Sequence, residues 1–246
     1  FNPILIFNPY NSRGNTVYVI LLGYKCKAKK EETVYHTFAS YYDELMNLDY
    51  DGYFKILSSM VDLKNKDILE VGCGTGQMTR RILKPSRSVV AVDVSEEMLA
   101  IARESLQDPR LSFHLLEDKL PFSKIFDVIL APIDVYHYLD PLALEEHLGD
   151  VSNHLQEGGS LLFDLREDLE GLEEDMSYDV GEDLDFFWLN QWDPKEEALQ
   201  MDFYFYRREG NLFKREIESQ TLYKHPLERL TQSLQRAGLK LVDTTT

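Results

Sequence analysis

The sequence predicts a doubly wound α/β core that carries an antiparallel β insertion. Three observations predict it: short apolar runs alternate with amphipathic stretches from residue 67 to 164, a dense glycine turn follows the first of those runs, and aromatic, acid-rich segments take over between residues 167 and 223. Apolar strands that alternate with helices imply a parallel sheet covered on both faces.

Asp67–Val71 reads as a buried strand running into the glycine turn, with Gln77 to Leu83 as the helix after it. Ser88–Asp93 is a second strand, and Ser95 is placed to cap a helix reaching about Leu106. Leu111–Leu116 is a third strand and Phe126–Ala131 a fourth. Leu142 to Leu155 reads as a helix that Gly158-Gly159 should stop, followed by Ser160–Asp164 as the fifth strand. Residues 167 to 185 are crowded with acids and hold no Lys or Arg, the pattern of a solvated loop or of a lid that attracts a cationic substrate. Phe186–Leu189, Leu199–Tyr206 and Leu212–Tyr223 are strand-like, with Glu209-Gly210-Asn211 as a hairpin turn. The α/β pattern returns with a helix Leu227–Ala237, stopped by Gly238, and a strand Leu239–Asp243.

The length of 246 residues suits one medium domain with an insertion, or two small ones. A formal charge of −17 repels phosphate backbones and favours neutral or cationic small-molecule partners over nucleic acid. The basic cluster Lys25 to Lys30 reads as a solvated linker. Two isolated cysteines, Cys26 and Cys73, point to a reducing compartment and to no metal site. Val17–Leu22 is too short to span a bilayer and lacks the flanks of a signal peptide, so the expectation is a cytoplasmic protein without a membrane segment.

The chemistry concentrates in Leu69-Glu70-Val71-Gly72-Cys73-Gly74-Thr75-Gly76. Glycines at the carboxyl end of a first strand let a ligand approach the backbone and let the chain turn into a helix. A dinucleotide fingerprint needs glycines spaced G-x-G-x-x-G, whereas Gln77 stands here and the spacing is G-x-G-x-G. The carboxylate of Glu70, just before the turn, suits a ligand bearing an ammonium group. Asp93 ends the second strand, where an acid can accept hydrogen bonds from both ribose hydroxyls of a nucleoside; a turn or cap role is the alternative.

Glu70–Gly76, Val92-Asp93-Val94-Ser95 and Phe126-Asp127-Val128-Ile129 resemble the first, second and fourth motifs of class I S-adenosylmethionine-dependent methyltransferases. Tyr35–Met46, Phe213-Lys214-Arg215-Glu216 and Arg236-Ala237-Gly238-Leu239 are similar to a bacterial small-molecule branch of that family, the methyltransferase domain 25-like proteins. The resemblance covers about residues 34 to 243. It implies S-adenosyl-L-methionine as cofactor, methyl transfer to a small-molecule acceptor by in-line displacement, and a Rossmann-like sheet of seven strands in the order 3-2-1-4-5-7-6. It further implies that Glu70 and the Gly72, Cys73, Gly74 and Gly76 backbone hold the methionine part of the cofactor. Asp93 would hold the ribose, Val94 and Met98 would pack on the adenine, and Glu117 or Asp118 would meet the adenine amino group. Ala131 opens the segment after the fourth strand, where His137 could serve as a base, with Tyr138 beside it, or be a polar loop histidine. Tyr41 and Tyr42 could close over the cofactor or fill the core. Among the aromatics Trp188, Trp192 and Phe203 to Tyr206, half should face the core and half a pocket.

Three other readings stay open: a nicotinamide-dependent oxidoreductase, disfavoured by the missing glycine; a non-catalytic protein that binds S-adenosylmethionine or S-adenosylhomocysteine; and a tRNA or protein methyltransferase, disfavoured by the charge. The expected organisation is a segment 1–33, a cofactor-binding core of 34–170 with 224–246, and a substrate-covering insertion 171–223. The sixth strand falls at the end of the sequence, and a seventh is expected antiparallel between the fifth and sixth. Thr16–Tyr24 is apolar enough to be that strand, a circular permutation. Val17–Leu22 should then pair antiparallel with Leu161–Phe163 and Leu239–Val242.

Overall fold

The computed structural model describes residues 16–22, 38–46, 48–172, 174–180 and 184–241. Strand β1 (Thr16–Leu22) is followed by a 3-10 turn at Phe38–Tyr41, helix α1 (Tyr42–Met46) and helix α2 (Tyr50–Met60). The core then alternates through β2 (Asp67–Val71), α3 (Gln77–Ile82), β3 (Ser88–Asp93), α4 (Glu96–Ser105), β4 (Leu111–Leu115), β5 (Phe126–Ala131), α5 (Pro141–His154) and β6 (Leu155–Arg166). Strands β7 (Glu174–Val180), β8 (Leu184–Asp193), β9 (Ala198–Glu209) and β10 (Leu212–Tyr223) precede α6 (Leu227–Arg236) and β11 (Lys240–Leu241). Cys26 and the residues of the expected final strand past Leu241 lie outside the described residues.

The large sheet runs β11-β1-β6-β5-β2-β3-β4, and all its described pairings are parallel. Its strands are apolar because helices cover both faces. Ile68, Leu69, Val92, Ile129, Leu130, Leu161 and Leu162 are fully buried. Ser95 caps α4 by accepting from the Met98 amide at 3.1 Å, and Asp140 caps α5 by accepting from Leu142 and Ala143.

Two expectations are corrected here. β1 does lie between β6 and β11, but Val17 pairs parallel with both Leu161 and Leu241, not antiparallel. The permutation reading required the antiparallel direction and is not supported. Either direction satisfies the unpaired backbone groups of β6 and β11, so the demand for a partner did not determine which way the strand runs. Gly158-Gly159 does not stop α5. The helix already ends at His154 with Leu155 extended, and the glycines sit in an irregularity of β6, where five residues from Leu155 to Ser160 advance against two from Phe126 to Val128. Gly159 fits there because a Cβ would meet the Asp127 carbonyl oxygen at 2.9 Å.

The second sheet is antiparallel, ordered β10-β9-β8-β7. Gly210, at φ +65°, and Asn211 make the two-residue turn between β9 and β10, where Leu212 pairs with Glu209. The acidic stretch is not one loop: a 3-10 turn occupies Glu170–Leu172 and β7 forms an edge strand paired to β8. Phe186, Phe203 and Phe205 share the inner face of this sheet and pack on Phe38, which ties the sheet to the segment ahead of α1.

Candidate active site

The carboxyl ends of β2, β3, β4 and β5 converge on one cavity of about 450 Å³. That is the size of a small-molecule site, at the sheet edge where such folds bind ligands. The glycine turn hangs from β3: the Gly72 and Cys73 amides donate to the Val92 carbonyl at 2.8 and 3.0 Å. Gly72, Gly74 and Gly76 take φ of +71°, +53° and +86°, a region that suits glycine. A Cβ on Gly72 would lie 2.4 Å from Val135 Cγ2, so the turn is also pressed against the segment after β5. Asp43 on α1 accepts from the Thr75 hydroxyl at 2.8 Å and from the Gln77 side chain at 2.7 Å. These bonds carry Tyr42 over the turn to the cavity wall.

Two acids lie at the turn. Glu70 is fully buried, and neither carboxylate oxygen has a hydrogen-bond partner among the described residues. Burial pushes its pKa up to about 8, with the nearby Asp93 charge adding to the rise and Thr79 tempering it. Asp93 is 7% exposed; one oxygen accepts from the Gly74 amide at 2.8 Å and the other from the Ser95 amide at 2.9 Å. Burial raises its pKa against those backbone bonds.

The far side of the cavity is shaped by the segment after β5. Ile133 and Asp134 adopt φ of +70° and +62°, strained for residues with side chains. Asp164, at the end of β6, holds them there by accepting both of their amides, and it also accepts from the Tyr53 hydroxyl at 2.6 Å. Burial and the Asp134 charge raise the Asp164 pKa to about 7. Asp134 in turn pairs with Arg166 at 2.7 Å. The result presents Val135, Tyr136 and Tyr138 to the cavity.

His137 does not join them. It is fully buried; its Nε2 accepts from the Arg166 amide at 2.8 Å, and its Nδ1 therefore carries the proton and donates to the Tyr223 carbonyl at 2.8 Å. Both ring nitrogens are used, and burial lowers the pKa, so no lone pair is left for a substrate. The expectation of a base at His137 is corrected to a brace between β6 and β10. Glu117 and Asp118 are exposed and outside the cavity wall, which Leu116 reaches instead. The chain turns these two residues to solvent directly after Leu116. Gly72, Gly74, Asp93, Val94, Met98, Tyr42 and Tyr138 do line the cavity. Cys73, Gly76 and Ala131 are buried behind that lining, with Gly76 starting α3.

Several lining residues were not singled out from sequence. His147 on α5 packs edge-on against Tyr136, with ring centroids 5.4 Å apart. Its Nε2 is buried without a partner, and burial holds its pKa down to about 4. Gln220 and Thr221 of β10 also line the cavity with buried, unpartnered side-chain atoms. Only packing reveals them, because one histidine on a helix or one glutamine in a polar strand carries no motif.

Residues 68–159 match a family model described as a methyltransferase domain. A Bacillus subtilis (strain 168) protein named as a methyltransferase, YqeM, is 28% identical over 216 residues, covering 85% of this chain and 87% of its own length. The solved structure of an S-adenosylmethionine-dependent methyltransferase from Clostridium acetobutylicum is 27% identical, covers 82% of this chain and 87% of that one, and superposes with a TM-score of 0.69. These matches support a class I S-adenosylmethionine-dependent methyltransferase. The CcbJ methyltransferase of Streptomyces caelestis, 22% identical over 87% of this chain and 90% of that one with a TM-score of 0.70, shares the fold. The cofactor of this methyltransferase is S-adenosyl-L-methionine. The glycine turn fits it: Gly72 and Gly74 bring bare backbone to the cavity wall beside Asp93, and the buried Glu70 carboxylate lies one residue before the lining residue Val71. Among the described residues no helix is long and apolar enough to cross a membrane.

Proposed function

We propose that this methyltransferase transfers the methyl group to a small-molecule acceptor held between the glycine turn and strand β10. The observation that carries the reading is the shared cavity, whose wall includes Gly72, Gly74 and Asp93 at one end and Ser219 to Thr221 at the other. Donor and acceptor would lie in one shared space, as in-line displacement requires.

Bound S-adenosylmethionine supplies a methyl group already activated on a sulfonium. Glu70 pairs with its ammonium group, and the Gly72 and Gly74 backbone accommodates the methionine part. Each Asp93 oxygen accepts one backbone amide, leaving a further lone pair for a ribose hydroxyl. Val94, 53% exposed in the cavity wall, and buried Met98 and Leu116 offer the apolar surface for an adenine. Tyr42 covers the site and Tyr138 faces the acceptor. Alignment of donor and acceptor supplies roughly 7–11 kcal/mol of the barrier without covalent catalysis. The antiparallel sheet acts as the acceptor's cover.

The test is incubation with methyl-labelled S-adenosylmethionine and a pool of small metabolites. Label is expected in a low-mass product with the native protein and in none with Asp93→Ala. Label in added RNA or protein would overturn the small-molecule reading. Tight cofactor binding with no transfer to any pool would favour a non-catalytic binding protein.

A further inference from the structure

We propose, resting on the methyl-transfer reading, that the open edge of strand β10 at Ser219 and Thr221 binds the acceptor through its main chain, and that the acceptor is a small peptide-like molecule, an N-acyl α-amino amide lying antiparallel to that edge. A strand seen from one face shows every second residue. The cavity wall instead holds Ser219, Gln220 and Thr221 in succession, so the cavity meets β10 edge-on. β10 ends its sheet, with β9 on one side and no strand on the other among the described residues. Ser219 and Thr221 are half-buried, not sealed in the core. The Ser219 hydroxyl is engaged across the ladder, donating to Asp202 Oδ1 at 3.1 Å, so what this residue offers the cavity is its peptide groups.

The register fixes where those groups point. In an antiparallel pair, alternate residues exchange both backbone bonds with the partner strand, and the residues between them turn N–H and C=O away. The β9–β10 register runs without a shift from Leu212 opposite Glu209 to Tyr223 opposite Ala198. Just past it the Lys224 amide donates to the Glu197 carbonyl at 2.8 Å, which places the even-numbered residues of β10 in the bonded phase. The Tyr223 carbonyl belongs to the other phase; it turns away from β9 and accepts from His137 Nδ1 at 2.8 Å. Ser219 and Thr221 share the phase of Tyr223. Their N–H and C=O groups point off the open edge, and among the described residues no backbone group outside the ladder bonds them.

That pattern selects the ligand. One residue of an extended molecule, with N–H and C=O flanking the same carbon, exchanges both bonds with Ser219 as an added strand would. A lone ammonium or carboxylate group would satisfy half of that pair. From Leu212 to Arg215 the same edge lies at the surface. The stretch from Ser219 to Thr221 shares its cavity with Gly72, Gly74 and Asp93, so a ligand paired there lies beside the methyl donor.

The experiment titrates N-acetyl-L-alanine methylamide into the full chain saturated with S-adenosylhomocysteine, with binding followed by ligand-observed NMR, and repeats it with the analogue methylated on the alanine nitrogen. The first probe is expected to bind at least about fivefold more tightly, since the second has lost the N–H that Ser219 accepts. Ser219→Pro removes the outward N–H and leaves the ladder to β9 intact, and it should weaken the first probe by a similar factor while S-adenosylhomocysteine affinity stays within twofold. Ser219→Ala keeps the N–H and should bind the probe as the native chain does. Should Ser219→Pro fail to fold, the two probes on the native chain decide the matter. Equal binding of the two probes, no binding of the first, affinity surviving in Ser219→Pro, or affinity lost as fully in Ser219→Ala would overturn the proposal. Failure to bind S-adenosylhomocysteine at all would instead overturn the methyl-transfer reading beneath it.

Discussion

At the scale of single residues, the buried Glu70 carboxylate couples stability to the cofactor. Its pKa of about 8 lies above that of an exposed glutamate, so the folded chain binds more protons than the unfolded one between about pH 4.5 and 8. Ligand-free stability is therefore full below that window and falls as pH rises through it. Glu70→Gln should raise the melting temperature of the ligand-free protein at pH 8 by several degrees and leave it nearly unchanged at pH 4.5. The same variant should weaken S-adenosylmethionine binding by roughly 1–3 kcal/mol. A melting temperature at pH 8 that falls instead would show the carboxylate is already satisfied. Asp93→Ala should lose two ribose bonds, roughly 1.5–3 kcal/mol each before water compensates, together with the anchor of the Gly74 and Ser95 amides. Calorimetry with circular dichroism on the same sample separates lost affinity from lost fold. His137, by contrast, should behave as structure. His137→Phe forfeits two buried backbone bonds, and about 1–3 kcal/mol of stability should go before any change in the chemical step appears. Sequence could not separate His137 from His147, since which ring faces the cavity depends on how the turn after β5 is wound.

At the scale of elements, the glycine turn and the segment after β5 are packed as one unit. Gly72→Ala would force a methyl group against Val135 at a positive φ, whereas Gly74→Ala meets nothing within 4 Å and carries only the left-handed backbone penalty, about 1–2 kcal/mol. Denaturant unfolding should rank Gly72→Ala as the more damaging of the two, and equal losses would mean that the two segments do not press on each other. Asp164 locks the other half of the unit. Asp164→Leu removes the acceptor for Ile133, Asp134 and Tyr53 at once, so the strained turn should relax and cofactor affinity should fall although Asp164 lines no cavity. Glycine spacing made the first of these elements legible. The second was not, because the strain at Ile133 and Asp134 is imposed by an acceptor some thirty residues away in sequence.

At the scale of the whole molecule, β1 closes the large sheet by pairing with both β6 and β11. A chain beginning at Val34 would leave two rows of unpaired backbone groups, which invite pairing with another copy. Light scattering should find that truncated chain aggregated or dimeric, and amide exchange should find β6 unprotected. A monomer with native protection along Leu161 to Leu165 would sink that view of β1.

The sequence by itself determined the local alternation of the core, the glycine turn with its acid at Glu70, the strand-ending Asp93 and the Gly210-Asn211 hairpin. Each is set by backbone preference or by side-chain period within a few residues, and neither needs distant partners to be expressed. Tertiary structure alone decided the direction of β1, because a continuous apolar run reports burial on both faces and is indifferent to direction. It also decided that α5 ends before its glycines, and that His137 braces β10 while His147 turns to the cavity. In β10 the run Glu218-Ser219-Gln220-Thr221 is polar at every position, so period cannot say which side faces inward. Only the aromatic cluster around Phe38 and the register with Met201 bury Gln220.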